Sequence, residues 1–498
     1  MDVFKCGELI RLHRMLNAAQ NGKLVHVVQR VEEDSYLVTS KVNGNDVEIV
    51  AKSSSMQPAC TKCKIGRDTM QYCPKCAVAR YCGADCQRSD WKRHKEDDCE
   101  DLKLGRFFEK RPLFAAVMRG NLATVTTLVE QGADVNQVTH FGSVASAAID
   151  GGCLDILRYL VQHGADINAS DLKGFVPLYA AALKGNLEMV RYLVGVGAEV
   201  NKTTTKNGCT ALHVAAERGF ASVVACLVQH GVDKEQLRND GQTALYLASR
   251  EGHLLVVKIL VQQGADINNG GEDGWTPLAV AAEYGQLEVV QYLVKQAADL
   301  EKIDKKGMSP LFHAALLGHL DVVKYLLEQG ADKDTRTTES YCPVYVAAQN
   351  GFLDVLKYLV EQGADKEQAM DNGANALCVA AQNGHLQVVQ CLIQHGANKR
   401  CTGPNGNTPL TCTARFGHVD IMRYLIQEGA DKDEANNDGT TALLSAAKCG
   451  HLEAVRYLVQ IGANIDWEDC EGETAVTMAL RGGHREVVDY LQAASSRH

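Results

Sequence analysis

Between residues 60 and 99 the chain carries eight thiol or imidazole side chains: Cys60, Cys63, Cys73, Cys76, Cys82, Cys86, His94 and Cys99. Two Cys-x-x-Cys pairs, Cys60-Thr61-Lys62-Cys63 and Cys73-Pro74-Lys75-Cys76, head the series. A single such pair is weak evidence, but eight soft or borderline donors provide two tetrahedral sets, the number that two structural Zn²⁺ ions require. A segment of this length buries too little apolar surface to fold unaided, so the metal is expected to hold it together.

The elements that frame this block differ on its two sides. Ahead of it, residues 7–20 have the apolar spacing of a short helix. Leu24 to Val31, Ser35 to Val42 and Asp46 to Ala51 then alternate as three short strands, with turn chemistry at Asn21-Gly22 and Asn43-Gly44. The string Asn21-Gly22-Lys23-Leu24-Val25-His26-Val27-Val28, with Ser35-Tyr36-Leu37-Val38, resembles a small SH3-like β-barrel; a β-hairpin extension packing on the metal block is the alternative. Ser53-Ser54-Ser55-Met56-Gln57-Pro58 is a linker.

Behind the block a unit recurs to the C-terminus. Its opening glycine falls at Gly174, Gly208, Gly241, Gly274, Gly307, Gly373, Gly406, Gly439 and Gly472, a step of 33 residues with one of 34 and one double step of 66 spanning Ser340. A fixed period of this size means a stacked array, because one unit cannot bury its own apolar face. In the unit opening at Gly274, Thr276 has N-cap chemistry and Pro277 suits the first helical position. Thr210, Thr243, Ser309, Thr408, Thr441 and Thr474 repeat the cap. Ala281-Ala282 allows close helix packing, and Gly285 ends the first helix in a left-handed turn, as do Gly219, Gly252, Gly318, Gly351 and Gly384. Leu287, Val290, Leu293 and Val294 mark one face of a second helix. Gly-Ala-Asp, as at Gly264-Ala265-Asp266, closes the unit. Ala297 stands where the other complete closing loops have glycine.

Units such as Gly208-Cys209-Thr210-Ala211-Leu212-His213-Val214-Ala215-Ala216 resemble the ankyrin repeat, and about twelve can be counted. The metal block resembles the MYND zinc finger through Tyr81-Cys82-Gly83-Ala84-Asp85-Cys86-Gln87 and Trp91-Lys92-Arg93-His94. That resemblance implies interleaved ligands: Cys60, Cys63, Cys82 and Cys86 on one ion, Cys73, Cys76, His94 and Cys99 on the other. Four residues separate His94 from Cys99, where the family usually has three. It also implies docking of short proline-rich peptides, with Gln87 and Trp91 at the contact positions. In the ankyrin family the residue after the opening glycine commonly touches partners. Here Trp275, Met308 and Tyr341 occupy that position on three consecutive units. Val280, His313 and Val346, two residues after the helix-opening leucine or its equivalent, are expected to face the same concave side, completing an exposed partner strip.

Composition narrows the function. The net charge is −10, which argues against a protein built mainly to hold nucleic acid. Within residues 60–99, nine Lys or Arg outnumber six Asp or Glu by three; seven thiolates and two Zn²⁺ bring the module to about zero. The N-terminus does not resemble a secretory signal, and no apolar run approaches the roughly 18 residues of a membrane span. Of 18 cysteines, seven lie in the metal block and eleven are scattered, as expected of thiols in a reducing compartment. Recurrent Gly-His pairs (His253, His319, His385, His418, His451, His484) keep the array period and are expected to be structural, and the Asp and Glu beside the closing loops to be solvated. No HExxH, Walker loop or GxSxG string appears.

These readings combine into a mostly α chain. A small β-rich extension (1–52), a linker (53–59), the zinc finger (60–99) and a second linker (100–108) precede a solenoid with β-hairpin turns (109–494). The expected function is a non-enzymatic, intracellular adaptor, cytoplasmic or nuclear, whose solenoid and finger each bind a protein, with no small-molecule substrate and no membrane. The alternative is a nucleic-acid-associated regulator or corepressor acting through the finger.

Overall fold

The computed structural model describes residues 111–496, apart from 140, 141, 172, 173, 401 and 402, and the backbone of five short strands ahead of them. Two compact units are distinguished, Met1–Asp134 and Val135–His498. In the first, β1 (His26–Glu32), β2 (Ser35–Val42) and β3 (Asn45–Lys52) form an antiparallel sheet in that order. β2 and β3 pair without a break from Ser35↔Lys52 to Val42↔Asn45, whereas β1 shifts register twice against β2. β4 (Gln71–Tyr72) and β5 (Arg80–Tyr81) make a two-residue antiparallel pair. The helices Pro112–Met118 and Leu122–Glu130 form the first repeat.

The second unit contains eleven further helix pairs among the described residues, from Val144–Asp150 with Leu154–Gln162 to Ala475–Gly482 with Arg485–Ser495. Repeat six shows why each pair forms. Thr276 is extended and its side chain accepts from the Ala279 amide; Pro277, which lacks an N–H, follows at the first helical position, where none is needed. Thr210, Thr243, Ser309, Thr408, Thr441 and Thr474 cap their helices in the same way. Asn375 supplies the cap in repeat nine. The second helix of repeat six, Leu287–Lys295, buries Val289, Val290 and Leu293. Leu287 and Val294, expected on that face, are only half-buried. Two stacked layers of such helices, with Ala281 and Ala282 fully buried between neighbours, form the continuous core.

Glycine at the end of the first helix has two separate jobs. Gly219, Gly285, Gly351 and Gly384 have φ between +66° and +80°, which an L side chain rarely adopts. A Cβ on Gly285 would also lie 2.6 Å from His319 Nδ1 of the next repeat, and one on Gly351 2.6 Å from His385 Nδ1. Each ring therefore sits on the preceding glycine, and its Nε2–H donates to a carbonyl of that repeat: His319 to Glu283 at 2.7 Å, His385 to Gln349 at 2.9 Å, His451 to Arg415 at 2.9 Å. The Gly-His pairs are locks between repeats.

The turns depart from the expected β-hairpins. Among the described residues of the repeats, only β6 (Val138–Thr139) and β7 (Gly142–Ser143) pair as strands. Elsewhere a single backbone bond closes the tip, as from the Asp304 amide to the Met308 carbonyl at 3.1 Å, and in several repeats a side chain joins it. Asp304 Oδ1 accepts from the Lys306 and Met308 amides at 2.8 and 2.9 Å, and Asn436 and Asp469 repeat the arrangement. These bonds satisfy the tip amides that a strand ladder would otherwise occupy.

Candidate functional site

The eight zinc-ligand positions, Cys60, Cys63, Cys73, Cys76, Cys82, Cys86, His94 and Cys99, lie outside the described residues, as do Gln87 and Trp91. Among the described residues no group of three or more His, Cys, Asp or Glu is arranged to hold a metal. Of the nine cysteines described there, six are buried.

The turn tips of repeats six to eight place Trp275, Met308 and Tyr341 at corresponding positions, each half-buried. Trp275 leans on the next repeat: its ring centroid is 4.4 Å from that of His313. Tyr341 packs on Tyr345 of its own repeat at 5.4 Å. Backbone strain fixes the last tip, where Ser340 takes the opening-glycine position at φ 65° and its hydroxyl donates to Asp371 Oδ1 at 2.7 Å.

Val280, His313 and Val346 do not complete an exposed strip. Their exposures are 0%, 1% and 2%. They lie on first helices that stack against the first helices of neighbouring repeats, so the side chains fill the space between units. Only the tip residues reach solvent.

Beneath Trp275 lies a carboxylate that sequence reasoning passed over. Asp304 is buried, its Oδ2 is 3.3 Å from His313 Nε2, and the opposite nitrogen, Nδ1, has no partner among the described residues. Burial pushes the His313 pKa down, against the pull of Asp304. The usable signal was periodic: Asp171, Asp304, Asn436 and Asp469 each stand three residues before an opening glycine. A second buried histidine, His213, stands one helix position earlier in repeat four, at the place of Phe312. Thr210 N–H donates to its Nδ1 at 3.1 Å, and Nε2 lies 2.9 Å from the Gln236 carbonyl, which suits a neutral ring protonated on Nε2. Burial pushes its pKa down to about 4.

The closing loops hold a second ladder. Asn268 Oδ1 accepts from the Asp299 amide of the next repeat at 2.9 Å, Glu301 Oε1 from Asp332 at 2.9 Å, and Asp334 Oδ1 from Asp365 at 2.8 Å. Asp266, Asp299 and Asp332 each accept from an amide of their own loop. The Asp and Glu here, expected to be merely solvated, tie one loop to the next, and Asn268 and Asp334 are half-buried.

The family described as Ankyrin repeats (3 copies) matches residues 94–171, 113–204, 178–271, 268–337, 344–436 and 428–496. The chain belongs to the ankyrin-repeat family. The family described as MYND finger matches residues 60–99, ahead of the repeats. Zinc binding and protein interaction follow from these two domains. Histone-lysine N-methyltransferase SMYD3 of Homo sapiens is 41% identical over 44 residues, 9% of this chain and 10% of that protein. SMYD3 of Mus musculus is 36% identical over 44 residues, with the same coverage. Both matches cover only the MYND region. Alpha-latrocrustotoxin-Lt1a of Latrodectus tredecimguttatus is 31% identical over 114 residues, 22% of this chain and 8% of the toxin. The chain thus spans 10% or less of the length of these curated relatives. Among the described residues no helix is long and apolar enough to cross a membrane.

Proposed function

We propose that this ankyrin-repeat chain is a non-enzymatic, intracellular adaptor acting in the cytoplasm or nucleus. The repeats grip one protein through the tips of units six to eight, and the MYND finger docks a short proline-rich segment of another. The observation that carries this reading is the run of Trp275, Met308 and Tyr341, three large half-buried side chains at successive tips. Trp and Tyr are favoured anchors at protein interfaces, because they cover much area with few rotatable bonds.

Two Zn²⁺ ions hold the finger, one on Cys60, Cys63, Cys82 and Cys86, the other on Cys73, Cys76, His94 and Cys99. Seven thiolates and one imidazole are a donor set that suits zinc. Gln87 and Trp91 contact the docked peptide. The methyltransferase likeness is confined to 44 residues, so its activity is not carried over to this chain.

The test is partner capture by the full chain and by Trp275→Ala/Tyr341→Ala. The double substitution should weaken capture by at most a few kcal/mol with helicity unchanged. Unaltered capture with the fold intact would move the binding surface elsewhere.

A further inference from the structure

The array contains its own control for one carboxylate. Glu217 ends the first helix of repeat four, Ala211–Glu217. Its Oε1 lies 3.0 Å from Arg250 Nη2 and its Oε2 3.9 Å from Arg238 Nη1, both arginines belonging to repeat five. Two units on, Glu283 ends the first helix of repeat six, Pro277–Glu283. The positions that correspond to Arg238 and Arg250 are now Asp304 and Leu316. The two cations that neutralise Glu217 have been replaced by an acid and an apolar side chain. Among the described residues nothing pairs with the Glu283 carboxylate. It is half-buried, and burial first, then the charge of Asp304, push its pKa up.

A cavity of about 430 Å³ opens at this point, with Tyr246, Trp275 and Tyr284 in its wall beside Glu283. Its other carboxylates are already engaged. Asp240 lies 3.0 Å from Arg238, Asp273 lies 3.5 Å from Lys305, and Asp304 is bound by two amides and faces His313. Lys305, paired with Asp273, and Lys306 also line the wall, which thus sets one half-buried carboxylate that no cation among the described residues contacts beside three aromatic rings.

We propose that this cavity takes an arginine side chain from a basic segment of the partner protein, its guanidinium on Glu283 and against the neighbouring rings. The partner thereby supplies in trans the pairing that Arg250 and Arg238 give Glu217 in cis. Arginine suits the site better than lysine, because its planar fork meets a carboxylate with two hydrogen bonds while its face stacks on an aromatic ring. The inference rests on the reading that repeats six to eight carry the partner surface, and it adds the chemistry that surface recognises.

The experiment probes the full chain with an array of synthetic peptides of randomised flanks and a fixed central Arg, Lys, citrulline or Glu. Citrulline keeps the shape of arginine without its charge. The proposal predicts that Arg peptides are held at least about tenfold more tightly than citrulline peptides. Glu283→Gln should abolish that preference. Leu316→Arg, which restores a cation in cis, should abolish it too, whereas Glu217→Gln should leave it unchanged. Equal binding of Arg and citrulline peptides, no binding of either, or a preference that survives Glu283→Gln would overturn the arginine assignment. If the preference is absent but Trp275→Ala still weakens binding across the array, the partner surface stands and only its chemistry is wrong. If peptides bind and neither Trp275→Ala nor Tyr341→Ala has any effect, the surface reading itself falls with the inference.

Discussion

Two residues with the same left-handed backbone respond oppositely to a methyl group. Ala297 has φ 63° and takes the place of the closing-loop glycine; at the equivalent Gly264 and Gly330, an added Cβ would meet nothing within 4 Å. The cost of Ala297 is therefore conformational, about 1–2 kcal/mol, part of which glycine gives back through its freer unfolded chain. Ala297→Gly should stabilise the array by up to about 1 kcal/mol in urea unfolding, and a clear loss of stability would contradict this. Gly285→Ala should destabilise it, because the same conformational cost is joined by a Cβ 2.6 Å from His319 Nδ1. His213 gives a prediction in pH. Its folded pKa, about 4, lies below the ordinary value of 6.5, so between those values the unfolded chain binds the extra proton. Stability contributed by the neutral ring is full above pH 6.5 and is lost as pH falls toward 4, on the order of 3 kcal/mol in all. His213→Gln should flatten that part of the stability profile, and an unchanged slope between pH 6.5 and 4 would contradict the assignment.

At the scale of the element, the legible features were those set by spacing. The period of 33, the Thr caps, the first-helix prolines and the left-handed glycines each follow from local backbone demands that a single residue type satisfies, and the described repeats show them in place. Less legible was whatever depends on the adjoining unit. Val280, His313 and Val346 fall at positions that an isolated helix would present to solvent, but stacking of first helices buries them. Likewise Asn268 and Glu301 look like polar loop residues until the next repeat brings an amide to them. The locks are testable as a class. His385→Ala should remove a ring donating to the Gln349 carbonyl and cost about 1–3 kcal/mol, loosening the junction of repeats eight and nine. Hydrogen exchange should quicken there before it does at distant repeats, and uniform quickening would argue that the array unfolds as a single block.

In the whole molecule, a zinc-binding finger precedes a repeat array whose contacts run only between neighbouring units. Cys73→Ser should therefore melt the 60–99 block while the repeats still unfold cooperatively. Metal analysis of the full chain should find two Zn²⁺, and one or none would sink the interleaved assignment. The presence of a MYND finger at 60–99 was legible because Cys-x-x-Cys spacing is a local signal; what it docks is not, because a peptide contact leaves no periodic trace. The most direct test of the adaptor claim is quantitative partner capture by three forms of the full chain: unmodified, Trp275→Ala/Tyr341→Ala, and Cys73→Ser. The account predicts two separate sets of proteins, one lost only with the tip aromatics and the other only with the finger, both recovered together by the unmodified chain. Capture that is insensitive to the tip aromatics, or a single set lost equally in both variants while the repeats stay folded, would contradict it.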